Sequence, residues 1–244
     1  MRERISNTHT QELSRRNFLL SLLIASGAVI LGTEGFLEAA PLLSGGCDWP
    51  ADWPTRGNPL AVDTVKRIVK LYTELRLRHL TETTTHWGIG YSGGKFADKF
   101  ILVSPVEPVA FHEALVRIGA RAGNNVPLDG YGKVIRGDSL TLCAHWPGLK
   151  TPVSINEIFY DSAGRGFDIR FGGNRAVAAE KKTGCLTCLE SCPIGITSNA
   201  VYPHLSTLQR ILRPNSSFRG KPERLPVKEA LPVVVFYQLA AHAG

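Results

Sequence analysis

The sequence predicts an α+β domain in which a small mixed or antiparallel sheet packs with one or two helices, followed by a cysteine-rich cluster loop and an irregular basic C-terminal tail. Several short apolar runs alternate as strands do. One segment has helical spacing, with Phe111, Leu115 and Ile118 at i, i+4 and i+7. The 24 glycines and 15 prolines follow no period, which indicates many turns. With 244 residues, 43% of them apolar, the chain can bury a substantial core.

Residues 1–40 have the pattern of an export signal. Arg15 and Arg16 precede an apolar stretch, Leu20 to Leu31, that contains small and hydroxyl residues and is too short to span a membrane comfortably. Paired arginines before such a core predict a twin-arginine signal. The predicted localisation is therefore periplasmic or otherwise extracytoplasmic, with a membrane anchor if the signal stays uncleaved. Because this route carries folded proteins, it also favours a bound cofactor.

The exported part is predicted to begin with a proline-rich linker, residues 41–62, and to continue as one domain over residues 63–204. Leu75–Leu80 alternates and predicts a strand. Further extended segments are predicted at 86–91, 100–103, 139–146, 155–160 and 167–171, and helices at 109–118 and 176–182. Strands with few helices between them predict the α+β class.

The last 40 residues, 205–244, are predicted to form the basic tail. The chain carries a net charge of +7, and residues 205–229 hold six basic residues against two acidic ones. Such a segment would steer an acidic protein partner or an anionic membrane surface toward the molecule, or would simply be solvated. Nucleic acid is not an expected partner, because no reading module is recognisable.

The strongest chemical signal is the cysteine string in the loop 183–199. Cys185, Cys188 and Cys192 are spaced Cys-x2-Cys-x3-Cys, and Pro193 follows. This string reproduces the last three cysteines and the proline of the bacterial ferredoxin run. The three cysteines are therefore predicted to bind a metal cofactor, with a four-iron–four-sulfur (4Fe-4S) cluster as the preferred group.

A cluster of four irons needs a fourth ligand, which the string does not supply. Cys143 is the preferred candidate, since alternation places it on one strand face with Thr141 and His145. The other candidates are Cys47 and the histidines His86, His145 and His204. With three protein ligands only, one iron would be open to water or substrate.

Two other chemistries compete for the same thiols. Zinc accepts three cysteines and a histidine, and disulfides suit an exported protein. Ser162, beside Asp161, does not stand in a Gly-x-Ser-x-Gly elbow, so hydrolysis at that serine is disfavoured. Whether the protein is an enzyme stays open, and a non-catalytic electron-transfer or accessory role is favoured.

Several motifs together resemble the YdjY-type domain family of bacteria over roughly residues 63–203. The motifs are His86-Trp87-Gly88 with Gly93-Gly94-Lys95, the helix from Phe111 to Gly119, Phe167 to Asn174, and the cysteine string with Pro193 to Asn199. Members are described as ferredoxin-like or four-iron–four-sulfur proteins. The resemblance implies that Cys185, Cys188 and Cys192 are the cluster cysteines.

The predicted function is an exported iron–sulfur protein that transfers electrons, or belongs to a redox complex, with a redox partner protein. The alternative is a non-redox binding or assembly module whose cysteines are structural, through zinc or disulfides.

Overall fold

The computed structural model describes residues 53–207 and 216–240. The predicted signal, Cys47 and most of the linker lie outside these residues. The strands are β1 (Leu60–Asp63), β2 (Ile68–Leu75), β3 (Trp87–Tyr91), β4 (Leu102–Ser104), β5 (Ser139–His145), β6 (Val153–Ser154), β7 (Phe159–Asp161), β8 (Ile169–Phe171), β9 (Cys185–Cys188), β10 (Thr197–Asn199), β11 (Phe218–Gly220) and β12 (Pro232–Leu239).

Eight of these strands form a closed, barrel-like sheet. Its order is β2, β12, β5, β8, β10, β9, β3 and β4, and β4 pairs back onto β2. The pairs β9–β10 and β3–β4 are parallel, and the other pairs of the ring are antiparallel. β1 extends the sheet along β2, β6 pairs with β5, and β7 with β11 forms a separate two-stranded sheet. Closure leaves the ring without a free edge.

The α+β prediction is wrong, because the described chain is mostly sheet. Its α-helices are α1 (Pro108–Arg117), α2 (Ile155–Ile158) and α3 (Arg175–Lys181). The error has two sources: the predicted cluster loop contributes β9 and β10, and the predicted irregular tail contributes β11 and β12. Neither α1 nor any other helix of the described residues is long and apolar enough to cross a membrane.

Local predictions fared better where one pattern dominated. The predicted helix at 109–118 is confirmed as α1, which starts at Pro108 in the first helical position, where its missing N–H costs nothing. The predicted strand at 75–80 is wrong, since β2 ends at Leu75 and Leu77–Leu80 forms a 3-10 helix. The spacing of the apolar residues in this segment fits one side of a short helix as well as it fits a strand.

Strand β12 is buried on both faces and lies between β2 and β5. Val233, Val235 and Tyr237 join the main core, whereas Val234 and Phe236 belong to a second apolar cluster on the outer face. Burial on both faces explains why this strand is a continuous apolar run rather than an alternating one. The continuous apolar run therefore indicates a central strand of the sheet.

A chain of hydroxyl groups crosses the interior of the closed sheet. Thr187 of β9 lies 2.8 Å from the Tyr237 hydroxyl and 2.8 Å from the Thr197 hydroxyl of β10. Burial raises the pKa of Tyr237, so the phenol stays protonated and can donate. Phe111 of α1 packs edge-on against the Tyr237 ring at 4.8 Å between centroids. The interior therefore ties β9, β10 and β12 together.

Candidate metal centre

The three cysteines of the string meet on the outer face of the sheet, at β9 and the turn after it. Their sulfur atoms all lie within 4.8 Å of one another. Cys185, Cys188 and Cys192 are 2%, 0% and 8% exposed. Cys185 and Cys188 are joined by a disulfide, and Cys192 is a free thiol. We refer to these three residues as the cysteine triad.

An aromatic shell covers the triad. Phe100 is buried against the cysteines, and Trp87, Phe96 and Ile194 pack on them from the partly exposed side. The Trp87 ring lies 5.1 Å from Phe96 and 5.2 Å from Phe100, between ring centroids. The shell keeps water from the sulfur atoms.

Two glycines allow close packing of the backbone around the cysteine string, one against a neighbouring turn and one against a sulfur. Gly184, directly before β9, has φ +86° and packs so tightly that a Cβ would lie 2.8 Å from the Gly94 Cα. A Cβ on Gly195 would lie 3.0 Å from the Cys188 Sγ. Larger residues at either position would displace the strand that carries Cys185 and Cys188.

Asn174 positions the cysteine turn, a role that the sequence pattern did not reveal. It has left-handed backbone geometry at φ 50°, and its side-chain amide donates to the Cys192 carbonyl at 2.9 Å and the Gly195 carbonyl at 3.0 Å. The Gly172-Gly173-Asn174 motif reads locally as a turn. Only its position against the cysteine turn shows that it holds that turn in place.

Two backbone N–H groups point at the sulfur of Cys192. Ile194 donates at 3.4 Å and Gly195 at 3.2 Å. Burial, helped by the charge of Glu190, raises the pKa of the Cys192 thiol to about 11 even though the two N–H groups act to lower it. N–H groups directed at sulfur are a feature of iron–sulfur sites, where they tune the cluster.

Two buried hydroxyl groups near the triad have no hydrogen-bond partner in the described structure. They belong to Thr183, two residues before Cys185, and to Ser198. Ser198 in β10 is the register partner of Cys188 in β9. Buried polar groups are nearly always hydrogen-bonded, so these two mark a place where a further group fits. Together with the three sulfurs and the Gly195 approach, they give a donor set that could hold a metal once the Cys185–Cys188 disulfide is reduced.

The structure does not bring Cys143 to the triad. β8 and β10 separate its strand, β5, from β9, and Cys143 is disulfide-bonded. It packs on the outer face with Ile68, Val234 and Phe236, a group that we call the Cys143 patch. His145, on the same strand, packs edge-on against Trp53 at 5.2 Å between centroids.

His86 and His204 lie near the triad but in a separate polar cluster around Glu190. The His86 Nδ1 is 3.5 Å from a Glu190 carboxylate oxygen, and the Thr207 backbone and hydroxyl donate to that carboxylate at 3.0 and 2.7 Å. Burial lowers the pKa of His86 to about 4, with a contribution from His204. Burial raises the pKa of Glu190. Among the described residues, neither histidine joins the three sulfurs as a grouped donor.

The fold and the site define a class: a closed β-sheet protein with a buried cysteine triad on its outer face. The chain belongs to the YdjY domain family, which matches residues 60–238, from the first residue of β1 to the penultimate residue of β12. The match therefore covers the whole closed sheet, including the segment predicted to be a tail. Family membership identifies the domain and does not identify a bound cofactor.

One relative is the Escherichia coli (strain K12) protein described as uncharacterized protein YdjY. It is 36% identical over 186 residues, which cover 76% of this chain and 81% of the relative. No solved structure matches the chain.

Proposed function

We propose that this protein is an exported iron–sulfur protein whose cysteine triad holds a cluster, with four irons and four sulfides as the preferred type, for electron transfer or within a redox complex. The observation that carries the proposal is the gathering of three buried sulfurs within 4.8 Å. The ferredoxin-like spacing of Cys185, Cys188 and Cys192 with Pro193 supports iron–sulfur chemistry. So do the N–H groups on the Cys192 sulfur.

The burial of the triad argues against a thiol–disulfide oxidoreductase. Catalytic cysteines need an exposed sulfur and a lowered pKa. Cys185 and Cys188 are buried, and burial raises the pKa of Cys192 to about 11. A protein disulfide could not reach these sulfurs. A bound metal, by contrast, benefits from a dry site and stabilises the thiolates that burial disfavours.

The donors argue against the most familiar zinc alternative. A site with three cysteines and one histidine requires an imidazole nitrogen near the sulfurs. His86 and His204 instead contact Glu190, Thr85 and backbone groups. Zinc would then need another fourth ligand.

The surface around the triad supports an acidic redox partner. Lys95 and Lys99 lie over the Phe96 ring, at 5.6 and 5.9 Å from its centroid, and Phe96 packs on the cysteines. Cations beside an apolar contact favour a partner that presents carboxylates. The twin-arginine motif at Arg15 and Arg16 supports delivery of this protein outside the cytoplasm.

The direct test is the metal content of protein purified anaerobically after expression of the full chain. The proposal predicts a brown protein with cluster absorbance, and with iron and acid-labile sulfide in equal amounts at about four per chain for a 4Fe-4S cluster. An electron paramagnetic resonance signal should appear on reduction. Colourless protein with stoichiometric zinc would contradict the proposal.

A second candidate function rests on the Cys185–Cys188 disulfide. In this alternative the protein is a non-redox binding module, and the disulfide simply closes a tight turn. Thiol counting separates the two functions. After denaturation without reductant, the disulfide form releases one thiol from the triad, that of Cys192, whereas a metal-bound triad releases three.

A further inference from the structure

The cluster leaves a fourth donor unassigned, and of the two partnerless hydroxyls near the triad, that of Ser198 is paired in register with a cysteine. The Ser198 side chain is completely buried, at 0% exposure, and its Oγ has no hydrogen-bond partner in the described structure. Leaving a buried hydroxyl without a hydrogen-bond partner is energetically unfavourable. A group that carries this cost at the edge of a sulfur cluster indicates a missing binding partner.

The sheet register directs Ser198 toward the triad. In the parallel pair of β9 and β10, Ser198 is opposite Cys188, and side chains at paired positions lie on the same face of a sheet. Gly195 lies against both side chains. A Cβ on Gly195 would be 3.0 Å from the Cys188 Sγ and 3.2 Å from the Ser198 Oγ, so sulfur and hydroxyl border the same small space.

The neighbours of Ser198 in β10 make the contrast clear. The Thr197 hydroxyl bonds to Thr187 and to the Leu186 carbonyl. The Asn199 amide bonds to the carbonyls of Gly166 and Leu189. Within this three-residue strand only Ser198 has an unused polar atom, and it is the residue on the cysteine side.

We propose that the Ser198 hydroxyl oxygen is the fourth protein donor to the metal centre held by Cys185, Cys188 and Cys192. The inference rests on the function proposed above. Four protein donors make a closed centre. A closed centre has no position for a substrate, so the site is an electron carrier and not a reactive open-iron site.

The test uses Co²⁺ as the probe, added anaerobically to the reduced full chain, because thiolate-to-cobalt absorption reports the number of sulfur ligands. Ser198→Ala should weaken Co²⁺ binding at least about tenfold and shift the visible bands. Ser198→Cys should retain binding and raise the charge-transfer intensity per cobalt by roughly one third, as three sulfur ligands become four. The matched control is Ser206→Ala, which removes another buried hydroxyl without a partner and should leave the spectrum unchanged.

Failure of this inference is distinguishable from failure of the proposed function. If wild-type protein binds Co²⁺ through the triad and Ser198→Ala gives the same affinity and spectrum, the serine ligand is refuted while the metal centre stands. Direct ligation is equally refuted if Ser198→Cys adds no charge-transfer intensity. If wild-type protein binds neither Co²⁺ nor iron, the metal centre itself is refuted.

Discussion

The outer face of the closed sheet carries two groups of buried cysteine that differ in chemistry. The cysteine triad lies beside backbone N–H groups, hydroxyls without a partner and the closely approaching Gly195. The Cys143 patch instead consists of Ile68, Val234 and Phe236 around a disulfide-bonded cysteine. Residue type and burial are the same in both places. What differs is the polar surroundings, and for this reason the proposed metal centre is assigned to the triad and a role in fold stability to the Cys143 patch.

Removing one cysteine from each group tests this difference in chemistry most directly. Cys188→Ala should abolish the cluster and reduce metal content to near background, since alanine removes the donor atom and the buried site cannot replace it. Cys143→Ser should keep full metal content but lower the free energy of unfolding by about 2–4 kcal/mol, the usual effect of losing a native disulfide. Iron analysis and denaturant unfolding measure the two effects.

The opposite outcome would be equally clear. Loss of the cluster in Cys143→Ser, with unfolding unchanged, would make Cys143 a ligand and remove the distinction between the two groups.

A second change removes hydrogen bonds from the segment next to the triad and replaces no cysteine. Asp161 accepts hydrogen bonds from the Tyr202 and Ser216 hydroxyls, both at 2.6 Å, and from backbone N–H groups that follow it. The backbone carbonyl of Tyr202 accepts from Ser191 N–H beside the triad. Asp161→Asn should lower the free energy of unfolding by about 1.5–3 kcal/mol, because an amide nitrogen cannot accept these bonds.

The same carboxylate gives a pH dependence of known sign. Burial of Asp161 alone raises its pKa, but the hydrogen bonds from Ser216, Tyr202 and the backbone outweigh it, so the pKa lies below the ordinary 3.8. Its stabilising contribution is therefore fully present above pH 3.8 and is lost as the pH falls through the lower folded-state value. Asp161→Asn should flatten the unfolding profile in that acid range. An unchanged profile would assign acid sensitivity elsewhere.

Adding a single methyl group at Gly195 tests the close packing of backbone against the triad. Gly195→Ala places a Cβ 3.0 Å from the Cys188 Sγ and should weaken Co²⁺ binding about tenfold, as other changes next to a metal ligand do. Gly220→Ala is the matched control, since its Cβ would meet the Leu80 side chain at 2.7 Å in a sheet that holds no cysteine. It should destabilise the fold without changing metal affinity. Equal affinities for both variants would count against the close approach at Gly195.

The smallest expected effect tests the inner face behind the triad. Tyr237→Phe removes the hydroxyl that bonds Thr187 at 2.8 Å and should lower the free energy of unfolding by about 1 kcal/mol. Hydrogen exchange should show the loss at the amides of β9 more than at those of β5. Uniform loss around the sheet would mean that this bond does not specifically support the cysteine strand.

Some of this structure was predictable because its signals are local. Phe111, Leu115 and Ile118 have helical spacing and α1 contains or adjoins them, and the period-two run over 139–146 became β5. The helix α1 is buried on one face, so its pattern shows which face that is, whereas β5 is buried on both faces from Leu142 to His145 and its alternation located only the strand. β9 and β10 gave no such signal, because Cys185 to Cys188 and Thr197 to Asn199 are short, polar and buried on every residue.

For the candidate site, too, some features were predictable from the sequence and others only from the structure. The spacing of Cys185, Cys188 and Cys192 was enough to predict that three sulfurs meet, since a few residues of chain can hardly separate them. Asn174 and Ser198 escaped notice because each acts across strand pairs or turns that are distant in sequence. Cys143 was preferred as a ligand on strand-face alternation alone, and alternation says nothing about which strand lies next to which.

By itself, therefore, the sequence determined the cysteine triad, the main helix and the family. The tertiary structure decided that the sheet closes, that the basic C-terminal segment supplies the central strand β12, and that Cys143 lies away from the triad. The physical reason is that strand pairing joins residues far apart in the chain through backbone hydrogen bonds that are common to all side chains. Composition and spacing record which residues are buried, but the closure of the ring determines what they are buried against.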